Sequence, residues 1–306
     1  MRLVFMGTPE IARAALIALL RDGHEVAGVY TRADKPVGRH QTLEMPPVKK
    51  LALENGIPVL QPATLRTPGA AGQLAALKPE LVVVVAYGML LPKAVLEVPA
   101  HGCINLHVSL LPKYRGAAPI QWAVINGEQE TGVSIMQLDA GMDTGPVLAT
   151  ERVEIPPHAT AGEMFEEVTG IGARLLAATV QQIAAGKAVA VPQSGEATLA
   201  PMLKKSMAQM DFAAPAKTLH NLVRGCNPWP VAWFTTGGKR VRVQRSHVAP
   251  LAGAAPREVL SLEPLTLACG EGALALEHLQ PEGGRVMTGT EWAAGRRLKP
   301  GGLLPE

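Results

Sequence analysis

In the segment CINLHVSLLPKYRG, Cys103 to Gly116, an amide and an imidazole stand two residues apart at the end of an apolar run. If residues 104–108 form a strand, side chains alternate between its faces, so Asn105 and His107 point the same way at the strand's end. Further along, LDAGMDTGPV places two carboxylates, Asp139 and Asp143, in a Gly-rich loop after another apolar stretch. An Asn N–H can hold an oxygen that becomes negative while a carbonyl carbon is attacked. A His can share that work and move protons near neutral pH. An Asp can orient the His and favour its protonated form. The sequence has no G-x-S-x-G elbow and no Ser or Cys in an activating setting. Acyl transfer here would therefore proceed by direct attack of the incoming nucleophile, without an acyl-enzyme. Bland readings stand beside this one: a lone His near an apolar strand is commonly structural, and Asp143 is also a good turn-former.

Two loops would border such a site. SLLPKYRG supplies Leu110, Leu111 and Pro112, and YGMLLP, Tyr87 to Pro92, repeats the pattern after the preceding apolar run. Apolar loops at one sheet edge suit a flat, largely apolar ligand with a few polar edges, although each alone reads equally as packing.

The elements that must position these residues follow from periodicity. RLVFMG reads as a buried strand, PEIARAALIALLRDG as a helix ending at Gly23, and HEVAGVYT as a second strand. RADKPVGRHQTLEMPP is a polar loop, and VKKLALENG and GAAGQLAALK are helices around the short strand IPVLQP. PELVVVVAY is apolar on both faces, as a central parallel strand should be. CINLHVS, a helix over APIQWAVINGE, the strand TGVSIMQL and a helical stretch from about Thr160 to Ala185 complete the front part. Strands alternating with helices predict an α/β fold with an open, mostly parallel sheet, and ligands bind such sheets beyond the carboxyl ends of the strands. The first βα turn, GTPEIA, has a single Gly where a dinucleotide fingerprint needs three. Gly7 therefore serves a tight turn or the close approach of some other ligand.

The length of 306 residues points to two domains. The expected boundaries are a catalytic domain over 1–190, a linker over 191–206 and a C-terminal domain over 207–306. Short strands with Gly-rich turns after residue 230 predict that the last part is small and all-β, a sandwich or barrel. Hydrophobic residues make up 47% of the chain, which excludes general disorder. Cys103, Cys226 and Cys269 are too widely spaced for a disulfide framework or a metal site, which fits a reducing cytosol, and no metal is expected. The N-terminus enters a strand at once, without a signal-peptide layout, and no segment suits a bilayer span, so a cytoplasmic chain without membrane contact is expected.

The net charge of +3 is unevenly spread. Residues 201–306 hold 13 Lys and Arg against 8 Asp and Glu, and residues 1–200 hold 16 against 18. The local cluster is GGKRVRVQRSH, where Lys239, Arg240, Arg242, Arg245 and His247 accompany the alternating Val241 and Val243. That pattern predicts a strand with a basic outer face, either a phosphate-tracking surface or an edge guarded by charge. Lys35 and Arg39, in DKPVGR, add a second basic site near the proposed pocket. Trp229, Trp233 and Trp292 are core anchors or stacking platforms.

These blocks together resemble the methionyl-tRNA formyltransferase family: FMGTPE, ADKPVGR, VVVVAYGMLLPKAVL, CINLHVSLLPKYRGAAPIQWAVINGE, TGVSIMQLDAGMDTG and NPWP, spanning nearly the whole chain. The resemblance implies a Rossmann-like N-terminal domain and an OB-like C-terminal barrel that helps bind tRNA. It implies 10-formyltetrahydrofolate as formyl donor and the amino group of initiator methionyl-tRNA as acceptor; a monomer is expected. The family's catalytic Asn, His and Asp fall on Asn105, His107 and Asp143. Its folate-binding segment falls on Ser109, Leu110, Leu111 and Pro112, with Met89, Leu91 and Asp139 as further expected contacts. Its tRNA-reaching loop falls on RADKPVGRHQTLEMPP, with Lys35 and Arg39, and Lys239, Arg240, Arg242 and Arg245 are the expected tRNA contacts of the C-terminal domain. Two competing readings remain open. One is another formyl-folate enzyme, with a nucleotide-sugar amine or water as acceptor; the other is an RNA-binding module in which the α/β half is a scaffold.

Overall fold

The computed structural model describes residues 1–37, 41–250 and 254–305. In chain order the first elements are β1 (Arg2–Gly7), α1 (Glu10–Arg21), β2 (Glu25–Tyr30), β3 (Lys35–Val37), β4 (Thr42–Glu44), α2 (Pro47–Glu54), β5 (Val59–Leu60), α3 (Ala70–Ala76), β6 (Leu81–Val85), α4 (Lys93–Leu96), β7 (Cys103–His107) and β8 (Arg115–Gly116). Then come α5 (Pro119–Ile125), β9 (Glu130–Gln137), β10 (Val147–Glu154), α6 (Ala161–Ala184), β11 (Leu199–Ala200) and α7 (Ala216–Gly225). The chain ends through β12 (Ala232–Thr236), β13 (Lys239–Ala249), β14 (Val259–Leu262), β15 (Leu265–Ala268), β16 (Ala273–Pro281), β17 (Met287–Thr288) and α8 (Gly289–Gly295).

Two compact units emerge. The first contains Met1–Gly116, Gly132–Val153 and Phe165–Leu199; the second contains Ala117–Thr131, Glu154–Met164 and Ala200–Glu306. The division is not contiguous in sequence, because α5 packs on α7 and so belongs with the C-terminal elements.

The first unit is built on a seven-stranded sheet in the order β10-β9-β7-β6-β1-β2-β5. β1 pairs in parallel with β2 and β6, β6 with β7, and β2 with β5. All five residues of β6, LVVVV, are buried, as a β-branched central strand covered on both faces requires. On α1 the buried residues Ile11, Ala12, Ala15, Leu16 and Leu19 recur at helical spacing and form one apolar stripe. Gly7 is a packing residue. A Cβ there would come within 2.6 Å of the Ala12 Cβ and 2.8 Å of the Val85 carbonyl oxygen, so only glycine lets α1 and β6 close on β1.

Two departures from the expected pattern matter for the site. β9 runs antiparallel to β7, with Ile104 opposite Gln137 and His107 opposite Ser134. β10, whose alternation is obscured by Glu151, Arg152 and Glu154, adds antiparallel to β9: Gln137 donates its N–H to the Pro146 carbonyl and Ile155 to that of Gln129. The polar loop RADKPVGRHQTLEMPP also carries more order than its composition suggests. β3 and β4 form an antiparallel pair, with Lys35 opposite Glu44.

The second unit carries an antiparallel sheet in the order β12-β13-β16-β15-β14, with β17 on β16. Its core gathers Phe212, Phe234 and Trp292, whose rings meet edge to face at 5.4 and 6.1 Å, each pair contributing about 0.5–1.5 kcal/mol beyond burial. Helix α8 opens with a reciprocal cap in which Thr288 Oγ1 accepts the Glu291 N–H and the Glu291 carboxylate accepts the Thr288 N–H. Cys103, Cys226 and Cys269 are free and buried. No helix among the described residues is long and apolar enough to cross a membrane.

Candidate active site

Strand β7 delivers Asn105 and His107 to one face two residues apart, Asn105 lying between Val84 of β6 and Met136 of β9. Asn105 is half-buried, and its side-chain amide makes no hydrogen bond among the described residues. His107 is buried at 6% exposure, and its Nε2 lies 2.9 Å from the Tyr114 carbonyl. A carbonyl only accepts, so Nε2 carries a proton and donates. The ring is thereby fixed, and Nδ1 is the nitrogen left for chemistry.

That Nδ1 faces Asp143, 3.7 Å from its Oδ2. The route by which Asp143 arrives differs from the simplest expectation. Because β9 is antiparallel to β7, the loop after β9 leaves beside Cys103, where Leu138 donates to the Cys103 carbonyl. His107 lies four residues further along β7, a rise of about 13 Å. The acidic loop therefore folds back along β7 to reach the imidazole. Several contacts hold it there. Gly116 donates its N–H to Asp143 Oδ2 at 2.8 Å, and Gln193 Nε2 donates to the carbonyls of Asp143 and Gly145, both at 2.8 Å. Asp143 itself adopts a left-handed backbone, φ +53°, a region that Asp tolerates better than most residues. Gly145 is required by space, since a Cβ there would overlap the Gln137 carbonyl.

Sequence reasoning missed the residues behind these partners. Arg115 donates from Nε (3.2 Å) and a terminal nitrogen (2.6 Å) to Gln193 Oε1. Thr198 accepts the Tyr114 N–H through Oγ1 at 2.9 Å and the Arg115 N–H through its carbonyl at 2.9 Å. Gln193 and Thr198 come from an irregular stretch with no hydrophobic period to flag it. The arrangement as a whole offers an amide without a partner among the described residues, a fixed imidazole and a carboxylate, the set suited to steadying an oxyanion and passing one proton.

The comparisons with known proteins agree with that chemistry. Residues 1–180 match the family model described as "Formyl transferase", and residues 202–297 match "Formyl transferase, C-terminal domain". A methionyl-tRNA formyltransferase of Myxococcus xanthus is 47% identical over 98% of this chain and 96% of its own length. One from Xanthomonas campestris is 48% identical over 98% and 99%. The chain belongs to the methionyl-tRNA formyltransferase family. Among solved structures, HypX from Aquifex aeolicus in complex with tetrahydrofolic acid shares the fold, with a TM-score of 0.63 at 20% identity. That match covers all of this chain and about half (48%) of the HypX chain.

The loop residues expected at the folate fall in three settings. Ser109 is fully buried and committed to the loop itself: its Oγ donates to the Lys113 carbonyl at 2.7 Å, and its carbonyl accepts from Ser134 Oγ at 2.7 Å. Leu110, Leu111 and Pro112 are half-buried, and Leu110 lies against Gly132, where a Cβ would overlap it. Met89 and Leu91 are half-buried on the core cluster that contains Val84 and Tyr87, and Leu138 joins them there. Burial pushes the Tyr87 phenol up to about 12, so it stays neutral. Asp139 is exposed, and its Oδ1 accepts from the Gly141 N–H and the Thr144 hydroxyl, holding the turn that precedes Asp143.

The expected tRNA contacts divide similarly. Lys35 is exposed on β3, and Arg39 lies outside the described residues. The root of that hairpin is fixed by Lys49, whose Nζ lies 2.8 Å from both carboxylate oxygens of Asp34 and 3.0 Å from Gln61 Oε1. Those bonds from Lys49, joined by one from Gln61, hold the Asp34 carboxyl below its ordinary range. On β13, Lys239, Arg240 and Arg242 are exposed while Val241 and Val243 are buried, the expected alternation. It breaks at Arg245, where the register with β16 shifts and the guanidinium pairs with Glu163. Arg240 lies over the Trp233 ring, 3.9 Å from its centre. Of the tryptophans Trp229, Trp233 and Trp292, Trp292 is core, Trp233 packs partly against that core, and Trp229 is 50% exposed.

Proposed function

We propose that this enzyme transfers the formyl group of 10-formyltetrahydrofolate to the free amino group of initiator methionyl-tRNA, giving N-formylmethionyl-tRNA for translation initiation. The observation that carries the reading is the fixed His107 ring with Nδ1 turned to Asp143, beside an Asn105 amide without a partner among the described residues, in a chain 47% identical to a methionyl-tRNA formyltransferase.

The aminoacyl nitrogen attacks the formyl carbon held on folate N10. As the carbonyl π electrons move to oxygen, the Asn105 N–H and protonated His107 Nδ1 meet the growing negative charge. Asp143 Oδ2 faces that nitrogen at 3.7 Å and orients the imidazole. When the tetrahedral intermediate collapses, the C–N10 bond breaks. The proton lost by the attacking amine reaches N10 by way of Asp143 or a water, so tetrahydrofolate leaves neutral at that nitrogen. The half-buried Met89, Leu91, Leu110 and Leu111 suit the flat pterin, and this reading keeps Ser109, Pro112 and Asp139 as shapers of the same wall. Lys35 and Arg39 serve the acceptor end of the tRNA, and Lys239, Arg240, Arg242 and Arg245 its backbone.

We also read residues 207–306 as an OB-like tRNA-binding domain joined by the 191–206 linker to the catalytic domain, the bulge in β13 supplying the bend that a barrel needs. The reaction belongs in the cytoplasm, and the enzyme works as a monomer without a metal. A formyl-transfer assay with charged initiator tRNA, a nucleotide-linked amino sugar and water as rival acceptors tests the reading. Product on the tRNA alone supports it, whereas preferential formylation of the sugar, or hydrolysis unaffected by tRNA, overturns it.

A further inference from the structure

We propose that Gln193, supported by Thr198, is a positioning residue for the formyl-transfer site: the strap of residues 191–198 holds both His107 and Asp143 in their reacting geometry. This rests on the reading of Asn105, His107 and Asp143 given above.

The bonds converge from two sides. His107 is fixed by the Tyr114 carbonyl, and Tyr114 is fixed through its own N–H by Thr198 Oγ1 at 2.9 Å. Asp143 is fixed through its carbonyl by Gln193 Nε2 at 2.8 Å and through Oδ2 by the Gly116 N–H at 2.8 Å. The two halves meet at Arg115, which donates its N–H to the Thr198 carbonyl and its guanidinium to Gln193 Oε1. The strap is itself docked at Val191, which exchanges both backbone hydrogen bonds with Val147 at the start of β10.

Gln193 suits this place chemically. Its Oε1 must accept from a guanidinium while its Nε2 donates to two carbonyls, and only a primary amide does both. The charged donor polarises the amide, which strengthens the two bonds on the far side. Those bonds grip a loop whose Asp143 sits at φ +53°, so the carboxylate's direction depends on them. Glutamate would keep the Arg115 bonds and set a carboxylate oxygen against two carbonyls.

The test uses the full-length enzyme and the variants Gln193→Ala, Thr198→Val, Thr198→Ser and His107→Ala. Turnover, tetrahydrofolate affinity by calorimetry, melting temperature and the His107 ring resonances by NMR are measured for each. Expected is a drop of about 10²-fold in kcat for Gln193→Ala, the scale of an ångström-sized misplacement, with shifted His107 resonances and little change in tetrahydrofolate affinity. Thr198→Val should follow it and Thr198→Ser should recover turnover, which decides the matter should Gln193→Ala not fold. Unchanged kcat in Gln193→Ala overturns the proposal. So does a drop matched by equal falls in folate affinity and melting temperature, with Thr198→Ser no better than Thr198→Val. Full turnover in His107→Ala would instead remove the underlying site reading.

Discussion

His107 Nδ1 and Asp143 Oδ2 stand 3.7 Å apart, while the other ring nitrogen is committed to the Tyr114 carbonyl. The imidazole thus has one open nitrogen, and the carboxylate faces that one. Replacing Asp143 by Asn keeps the size and the Gly116 bond but removes the charge. We expect Asp143→Asn and His107→Ala each to lower single-turnover formyl transfer by about 10²–10⁴-fold, the range for removal of an acid–base group, with tetrahydrofolate binding retained. Near-normal turnover in either would remove the pair from the chemistry.

The role proposed for Asn105 is different, one confined to the transition state. Its amide has no partner inside the protein among the described residues, so truncation leaves no internal bond broken. Asn105→Ala should lower kcat by about 10²–10³-fold with KM for the folate nearly constant. A rise in KM at unchanged kcat would instead make Asn105 a ground-state binding residue.

Gly145 links the site to the backbone. A Cβ there overlaps the Gln137 carbonyl, whereas one at Gly141 meets mainly the Thr144 side chain. Gly145→Ala should destabilise by about 1–3 kcal/mol, as overpacking does, and reduce turnover by displacing Asp143. Gly141→Ala should do less on both counts, because a side chain yields more easily than a carbonyl. Thermal melts and kcat of the two variants side by side check the ranking, which fails if the two are equal.

What could be read from the sequence, and what could not, follows from how local each signal is. Asn105 and His107 share a face because strand periodicity alone dictates it. The five buried residues of β6 were equally plain. Asp143 was legible as a residue type in a Gly-rich loop, but its path was not: a parallel and an antiparallel neighbour have the same alternation, and only the pairing with Ile104 to His107 decides between them. Gln193 and Thr198 carried no signal, since a side chain that grips distant backbone leaves no period. Helix α8 did carry one, the Thr288-x-x-Glu291 cap, hidden in a stretch bounded by Gly289 and Gly295.

The exposed cations of β13 offer a prediction about salt. Lys239, Arg240 and Arg242 project from a strand whose Val241 and Val243 are buried, and Arg240 is stacked on Trp233 in a ready orientation. Reversing all three charges should weaken tRNA binding and flatten its dependence on salt, by about 0.7–0.9 in log–log slope for each phosphate that is no longer neutralised. Folate-dependent chemistry at saturating tRNA should be spared. Binding titrations from low to high salt check this, and an unchanged slope would return the strand to the plain duty of a charged sheet edge.

His220 makes stability depend on pH. It is buried at 6% exposure in the second unit, its Nδ1 3.1 Å from Ser246 Oγ and its ring edge-on to His158. Burial pushes its pKa from 6.5 down to about 4, helped by the nearby Arg224 guanidinium and the His158 and His247 rings, and opposed by the Pro157 carbonyl. The folded state therefore resists a proton that the unfolded chain accepts below 6.5. Its contribution is fully present above that pH, shrinks as the pH falls, and is gone near 4. A depression of this size corresponds to on the order of 3 kcal/mol across the window, because each unit is about 1.4 kcal/mol. His220→Gln removes the titration while keeping a hydrogen-bonding side chain. We expect denaturant melts of the native enzyme to lose stability steadily from pH 6.5 toward 4, and those of the variant to run flatter over the same interval. Parallel profiles would mean that carboxylates elsewhere, and not this imidazole, set the acid limit of the fold.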